Sequence, residues 1–347
     1  MNIIKPKKIK KGDTIAIVAL SWGGHNPYPH IVNKGVERLE SFGFKIKRGD
    51  TLNYTNQELY ENPKLRADDL HKQLLDEEVR GIITLIGGYE SVRVLPFLDR
   101  EIIKNNPKFF MGYSDISTYL TFFSNLGLVS FNGPAVMAGF AESKNLEKDF
   151  EMYIKEFLLG NWDEFEYKKF NRYTNCYLSW DDSKNLEKEN LNYIENNDDW
   201  HFIQGSKVAE GELFGGCIEV LEFMKGTKFW PDENFWNNKL LFFETSEEKP
   251  PIICVESFLR NYGMQGILNK INGICFGRAR DYSEEEKKEL ETVILKVLKE
   301  FNRGDLVVVT NMDFGHTDPQ LVMPNGIKAQ INPKEKTFKL LESIWVD

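Results

Sequence analysis

The stretch KFFMGYSDISTYL, residues 108–120, decides the fold class. An apolar run, KFFM, stops at Gly112. Ser114 and Asp115 follow, and residues 116–125 then repeat apolar side chains at helical spacing. A buried strand that turns sharply through Gly-x-Ser into a helix is the unit of a parallel sheet covered by helices. Such a turn presents the serine at the sheet's carboxyl edge, beside the free N–H groups of the new helix. Ser114 is therefore either a nucleophile or only the cap of its helix. GYSDI lacks the second glycine of the usual nucleophile elbow, so the rest of the chain must decide.

Working outward, the first half keeps the same rhythm. TIAIVAL (residues 14–20) and GIITLI (81–86) are continuous apolar runs, as expected of strands buried on both faces. FKIKRGD reads as a further short strand. Ile31, Gly35, Leu39 and Phe42 step by three or four along a helix that Gly43 closes in the left-handed conformation. Helices are also expected over 64–76 and 91–98. Repeated β-α-β units predict a parallel sheet with helices on both faces.

The pattern changes after Lys144. Residues 161–205 are rich in Trp, Asn, Asp and Lys, with weak periodicity. They read as a linker or mobile loop whose aromatic residues cover something. Order returns with GELFGGCIEVLEFMKGT, where Cys217, Val220, Leu221 and Met224 share a helix face ended by Gly226. KLLFFE, GICFG and DLVVVT read as strands, CVESFLRNYGM as a helix capped by Gly263, and IKAQINPKEKTFKLL as a terminal hairpin. Ser283 and Glu286 form a capping box for a long amphipathic helix. The expected division is an α/β domain over 1–160, a connecting segment over 161–205, and a mixed, β-rich α+β domain over 206–347.

Composition narrows the function. The 347 residues are 41% hydrophobic, enough for two cores, and the net charge is −9. A mildly acidic chain has no general attraction for nucleic acid or an anionic membrane. The basic start, MNIIKPKKIKKGD, lacks the apolar core of a signal peptide. No apolar run is long enough to span a bilayer. Cys176, Cys217, Cys254 and Cys275 show no metal-ligand spacing, so reduced structural thiols in a cytoplasmic protein are expected. Neither a metal nor a cofactor is called for.

A nucleophilic serine needs a base and a group to orient it. Of the five histidines, His71 sits among charged helix neighbours and reads as solvated, and His201 lies in the irregular segment. His25 and His30 follow the first strand and remain alternatives. His316 follows DLVVVT, in a loop shaped by Gly315, Pro319, Pro324 and Gly326. Glu244 ends the apolar strand LLFFE, where a carboxylate needs a partner or an opening to solvent. Glu247 and Glu248 are rival acids that read as exposed loop. Ser114, Glu244 and His316 thus each follow a strand's carboxyl end, where α/β ligand sites gather. Gly87 and Gly88 in LIGGYES let backbone approach a ligand and offer an N–H for an oxyanion.

LIGGYES, GYSDIS, FNGP, LFGGCIEVLEFMKGT, LLFFET and FGHTDPQLVMPNG together resemble, in order and spacing, the LD-carboxypeptidase family of serine peptidases. That family acts on murein peptides and includes the microcin C immunity peptidases. The similarity runs from IKKGDTIAIVALS to the C-terminus. It implies a Rossmann-like first domain, a β-rich second domain, an active site between them and commonly a homodimer. It implies Ser114 as nucleophile, Glu244 as acid and His316 as base, with the amides of Gly88 and Asp115 as oxyanion hole.

Ile86 before the glycines, and the aromatic insertion, resemble the microcin-immunity branch. There an inserted tryptophan stacks on the nucleobase of the toxin. Trp180 is the matching position and Trp200 its rival. The implied substrate is a small peptide or an aminoacyl-nucleotide. Asn132, Cys217 and Thr245 depart from the family's usual His, Asn and Asp, which puts substrate contacts in doubt. Arg260, Arg278 and Lys249 are the possible partners of a substrate carboxylate. Two other classes stay open: a nucleotide-binding oxidoreductase, although SWGGHNP is a poor substitute for G-x-G-x-x-G, and a binding protein without activity.

Overall fold

The computed structural model describes residues 3–143, 146, 148–187 and 192–346. The aromatic insertion is therefore described except for residues 188–191.

Five parallel strands carry the first half: β1 (Thr14–Val18), β2 (Lys45–Arg48), β3 (Val79–Thr84), β4 (Phe109–Gly112) and β5 (Ser130–Asn132). Alternate residues point to opposite faces, so one sheet feeds two cores. Ala16, Val18, Ile82 and Phe110 pack under helices on one face. Ile15, Ile17, Ile83, Phe109 and Phe131 face a second cluster, which continues into the other half of the chain.

The insertion contributes β6 (Phe165–Glu166), β7 (Arg172–Tyr173), β8 (Ile194–Glu195) and β9 (His201–Gln204). Then β10 (Ala209–Cys217), β11 (Leu240–Glu244), β12 (Gly273–Gly277) and β13 (Val307–Met312) run parallel to one another. Helices Ile218–Met224, Ile252–Met264 and Glu284–Glu300 connect them. β14 (Met323–Asn325), β15 (Lys328–Asn332) and β16 (Thr337–Leu340) complete the chain. The first sheet has the order β14-β5-β4-β3-β1-β2, and the second the order β6-β16-β15-β10-β11-β12-β13-β9. β14 thus closes the first sheet's edge from the far end of the sequence.

The order of strand addition reverses at β1, since β2 lies on one side of it and β3 on the other. The loops leaving β1 and β3 meet at this switch point, where Trp22 N donates to the Gly87 carbonyl at 3.0 Å. The carboxyl ends of β10 to β13 belong to the second sheet, which shares its core with the first.

Several local expectations change. Residues 91–98 form two 3-10 turns, Ser91–Arg93 and Leu95–Phe97, because Pro96 removes an N–H from any continuous helix. Gly263 lies inside its helix rather than capping it. A side chain there would collide with Phe301, and Gly266 supplies the left-handed residue instead. His71 is half-buried and accepts a hydrogen bond from Asp99 N at 2.9 Å, so it is not simply solvated. The capping box of Ser283 and Glu286 is present.

Candidate active site

After β4, Ser114 adopts φ +62°, a left-handed conformation that costs a non-glycine residue about 1–2 kcal/mol. Strain of this kind at a strand-to-helix turn is characteristic of a residue held for function. Gly87 lies against it. A methyl group on Gly87 would sit 2.8 Å from Ser114 Cβ and 2.9 Å from its Oγ, so only glycine fits. The neighbouring amides of Gly88 and Asp115 form no hydrogen bonds among the described residues. They are free to receive an oxyanion.

The Asp115 side chain ties these pieces together. It accepts from Ser21 Oγ at 2.5 Å and from Ser91 N at 2.9 Å, while Ser91 Oγ donates to its carbonyl at 2.8 Å. One buried carboxylate therefore joins the loop after β1, the loop after β3 and the turn at Ser114. Arg66, also buried, donates twice to the carbonyl of Ser21 from below.

The second sheet brings the other two residues. Glu244 ends β11 and is fully buried. His316 follows β13 in a buried loop, with Nδ1 2.5 Å from Glu244 Oε2. Gly315 makes the approach possible: a Cβ there would stand 2.7 Å from that same carboxylate oxygen. The two sheets then meet around the pair. The ring of Tyr113, the residue before Ser114, packs on the His316 ring with centroids 4.9 Å apart. The next helix docks through Ser117, whose Oγ accepts from Cys217 N at 3.0 Å. Cys217 in turn lies beside Glu244 in the β10–β11 register.

Ser114, Glu244 and His316 are thus gathered at one junction, although no hydrogen bond joins Ser114 to His316. The second ring nitrogen faces another acid. Glu247 Oε2 lies 3.0 Å from His316 Nε2, as an ion pair rather than an aligned hydrogen bond. Glu247 and Glu248 do lie in an exposed loop, as expected, but both are engaged: Glu247 faces His316, and Tyr89 OH donates to Glu248. The polar run directly behind Glu244, at a strand's carboxyl end, was the available signal. Burial works against charge on His316, but Glu244 and Glu247 outweigh it and hold the ring up to about 10. The contact with His316 holds Glu247 down to about 2, against partial burial.

The insertion grips the loop that carries His316. Thr174 and Asp318 exchange backbone hydrogen bonds of 2.7 and 3.0 Å, and Tyr177 OH donates to the Asp318 carboxylate. Trp200 is buried and donates from Nε1 to Asp313 at 2.7 Å, which makes it a structural pin. Trp180 remains half-buried beside the loop after β1. Tyr28 meets its ring edge-on, Tyr177 stacks on it, and His30 Nε2 lies 2.8 Å from its carbonyl. His25 binds the carbonyl of Tyr54, and His201 pairs with Glu291. None of these three histidines contacts Ser114.

A strained Ser114 beside the Gly87 turn, with a buried His316–Glu244 pair on the adjoining sheet, is an arrangement that suits a serine-type hydrolase. Comparison with known proteins agrees. Residues 15–133 match the model of the LD-carboxypeptidase N-terminal domain, and residues 210–331 that of the C-terminal domain. The chain belongs to the LD-carboxypeptidase family and is a serine-type carboxypeptidase. It is 27% identical over 335 residues to the microcin C7 self-immunity protein MccF of Escherichia coli, covering 95% of this chain and 94% of that one. It is 28% identical over 344 residues to a probable murein peptide carboxypeptidase of Bacillus subtilis, covering 96% and 93%. A solved structure of MccF in complex with aspartyl sulfamoyl adenosine superposes with a TM-score of 0.86 at 25% identity, covering 99% and 100%.

Proposed function

We propose that this protein is a serine amidohydrolase of the microcin-immunity type, cleaving a peptide or aminoacyl-nucleotide amide through an acyl-enzyme. The observation that carries the reading is the strained Ser114, set under the Gly87–Gly88 loop at the junction with the His316–Glu244 pair. Ser114 Oγ attacks the scissile carbonyl and its proton passes to His316 Nε2. Glu244 orients the ring through Nδ1 and stabilises the imidazolium. The oxyanion is received by the amides of Gly88 and Asp115. His316 then protonates the leaving nitrogen. Water, activated by the same ring, hydrolyses the ester. Glu247 must leave Nε2 before the first step.

In this reading Trp180 offers its ring to the nucleobase, and the protein works in the cytoplasm as a homodimer. MccF, which has been solved with aminoacyl sulfamoyl nucleosides, supports it. A second reading, removal of D-alanine from murein tetrapeptide, is favoured by the equally similar murein peptide carboxypeptidase. Mass spectrometry of products, with Ser114→Ala as control, separates the two. The first reading predicts cleavage of aspartyl sulfamoyl adenosine. Release of D-alanine alone would replace it with the second, and turnover of neither substrate would contradict both.

A further inference from the structure

Three cations were available to the sequence as anchors for a substrate anion, and each is already engaged. Arg278 is buried, pairs with Asp313 at 2.8 Å and lies over the Tyr173 ring. Arg260 pairs with Glu256 and Glu300, and Lys249 with Glu286. Arg280 differs. It follows the carboxyl end of β12, as Glu244 and His316 follow β11 and β13. Its side chain is 25% exposed, and its buried Nε has no hydrogen-bond partner among the described residues. Its nearest acid is its sequence neighbour Asp281, 3.4 Å from Nε and not aligned with it.

We infer that Arg280 anchors a negative charge on the leaving group of the substrate, an assignment that rests on the hydrolase reading above. The buried Nε of Arg280 lacks an acceptor, which is costly, and a carboxylate or other planar anion would satisfy it and the neighbouring nitrogens with charge-assisted hydrogen bonds. The surroundings need such a cation. Glu244, Glu247, Glu248 and Asp318 crowd the site and would repel an anionic substrate. The charge of Arg280 favours the ionised forms of Glu247, Asp318 and Tyr113, the groups around His316. Glu247 is then an internal carboxylate resting between His316 and that charge. An incoming anion would take over that charge and release His316 Nε2 for Ser114. The anion has two chemical sources: the free C-terminal carboxylate of a peptide, or the acidic sulfamate or phosphoramidate of an aminoacyl nucleotide.

The test is calorimetric binding to the Ser114→Ala protein, with Arg280 intact, Arg280→Met or Arg280→Lys. The ligands are murein tetrapeptide, its C-terminal amide and aspartyl sulfamoyl adenosine. Arg280→Met is expected to weaken an anionic ligand at least tenfold. It should leave the neutral amide unchanged, and Arg280→Lys should recover part of the loss. Loss on the tetrapeptide alone identifies a carboxylate as the anion, and loss on the adenosine ligand alone the sulfamate. Equal weakening of acid and amide, or no weakening of any ligand, overturns the anchor while leaving the hydrolase reading intact. If no ligand binds with Arg280 present and wild type turns over neither substrate, the hydrolase reading falls and the anchor falls with it.

Discussion

Replacing Glu247 by Gln tests the resting state of the site most sharply. The carboxylate lies 3.0 Å from His316 Nε2, where two unit charges attract by about 1.4 kcal/mol in water and about 5.5 kcal/mol at an effective dielectric of about 20. Glu247 is half-exposed, and solvent pulls the value toward the lower figure. About 1.4–2.8 kcal/mol corresponds to about 1–2 pKa units. A carboxylate favours the imidazolium, so its removal lowers the His316 pKa. Glu244 stays in contact, and the ring remains above its ordinary 6.5. The value should therefore fall from about 10 toward about 8–9. Tyr113, Asp318 and Arg280 also face the site and are common to both proteins. The assay is a histidine NMR titration in the Ser114→Ala background. His316→Gln identifies the signal among five histidines. In active enzyme, kcat/KM reports the free base, so its rising limb should move down by about 1–2 pH units. A His316 titration that does not move in Glu247→Gln refutes the ion pair as a feature of the free enzyme.

Other consequences follow from the same contacts. Gly87→Ala should remove most activity by displacing Ser114, with thermal stability less affected; a normal kcat would contradict the tight approach at 2.8 Å. Arg278→Ala leaves Asp313 buried without its cation and should cost about 3–5 kcal/mol, read as a large fall in Tm. Trp180→Ala should weaken aspartyl sulfamoyl adenosine and leave murein tetrapeptide unchanged, with calorimetry as the check. Equal loss for both ligands would make Trp180 a structural support of the loop after β1.

The alternation of apolar strands with helices made the first sheet readable, because strands buried on both faces need no polar residues. The second sheet was harder. Its strands β11 to β13 were legible one by one, but β10 was not, since Cys217 was read into the following helix and instead ends that strand, and the pairing with a hairpin and with strands of the insertion depends on contacts far apart in sequence. Ser114, Glu244 and His316 stood out as candidates because each ends or follows an apolar run. Arg280 did not, and Glu247 was weighed only as a rival acid in an exposed loop, because a polar residue in a polar loop looks solvated until the fold shows what it faces. The insertion was read as covering something, and its aromatic and polar side chains do bind the loop carrying His316. That loop's composition alone could not name Asp313 and Asp318 as the points of attachment.

The central claim is that Ser114 is an activated nucleophile. Intact-protein mass spectrometry after reaction with a fluorophosphonate, followed by peptide mapping, tests it directly. The account predicts one adduct, on Ser114, that is absent in Ser114→Ala and much slower to form in His316→Gln. An unmodified Ser114, or labelling that is indifferent to His316, would contradict it.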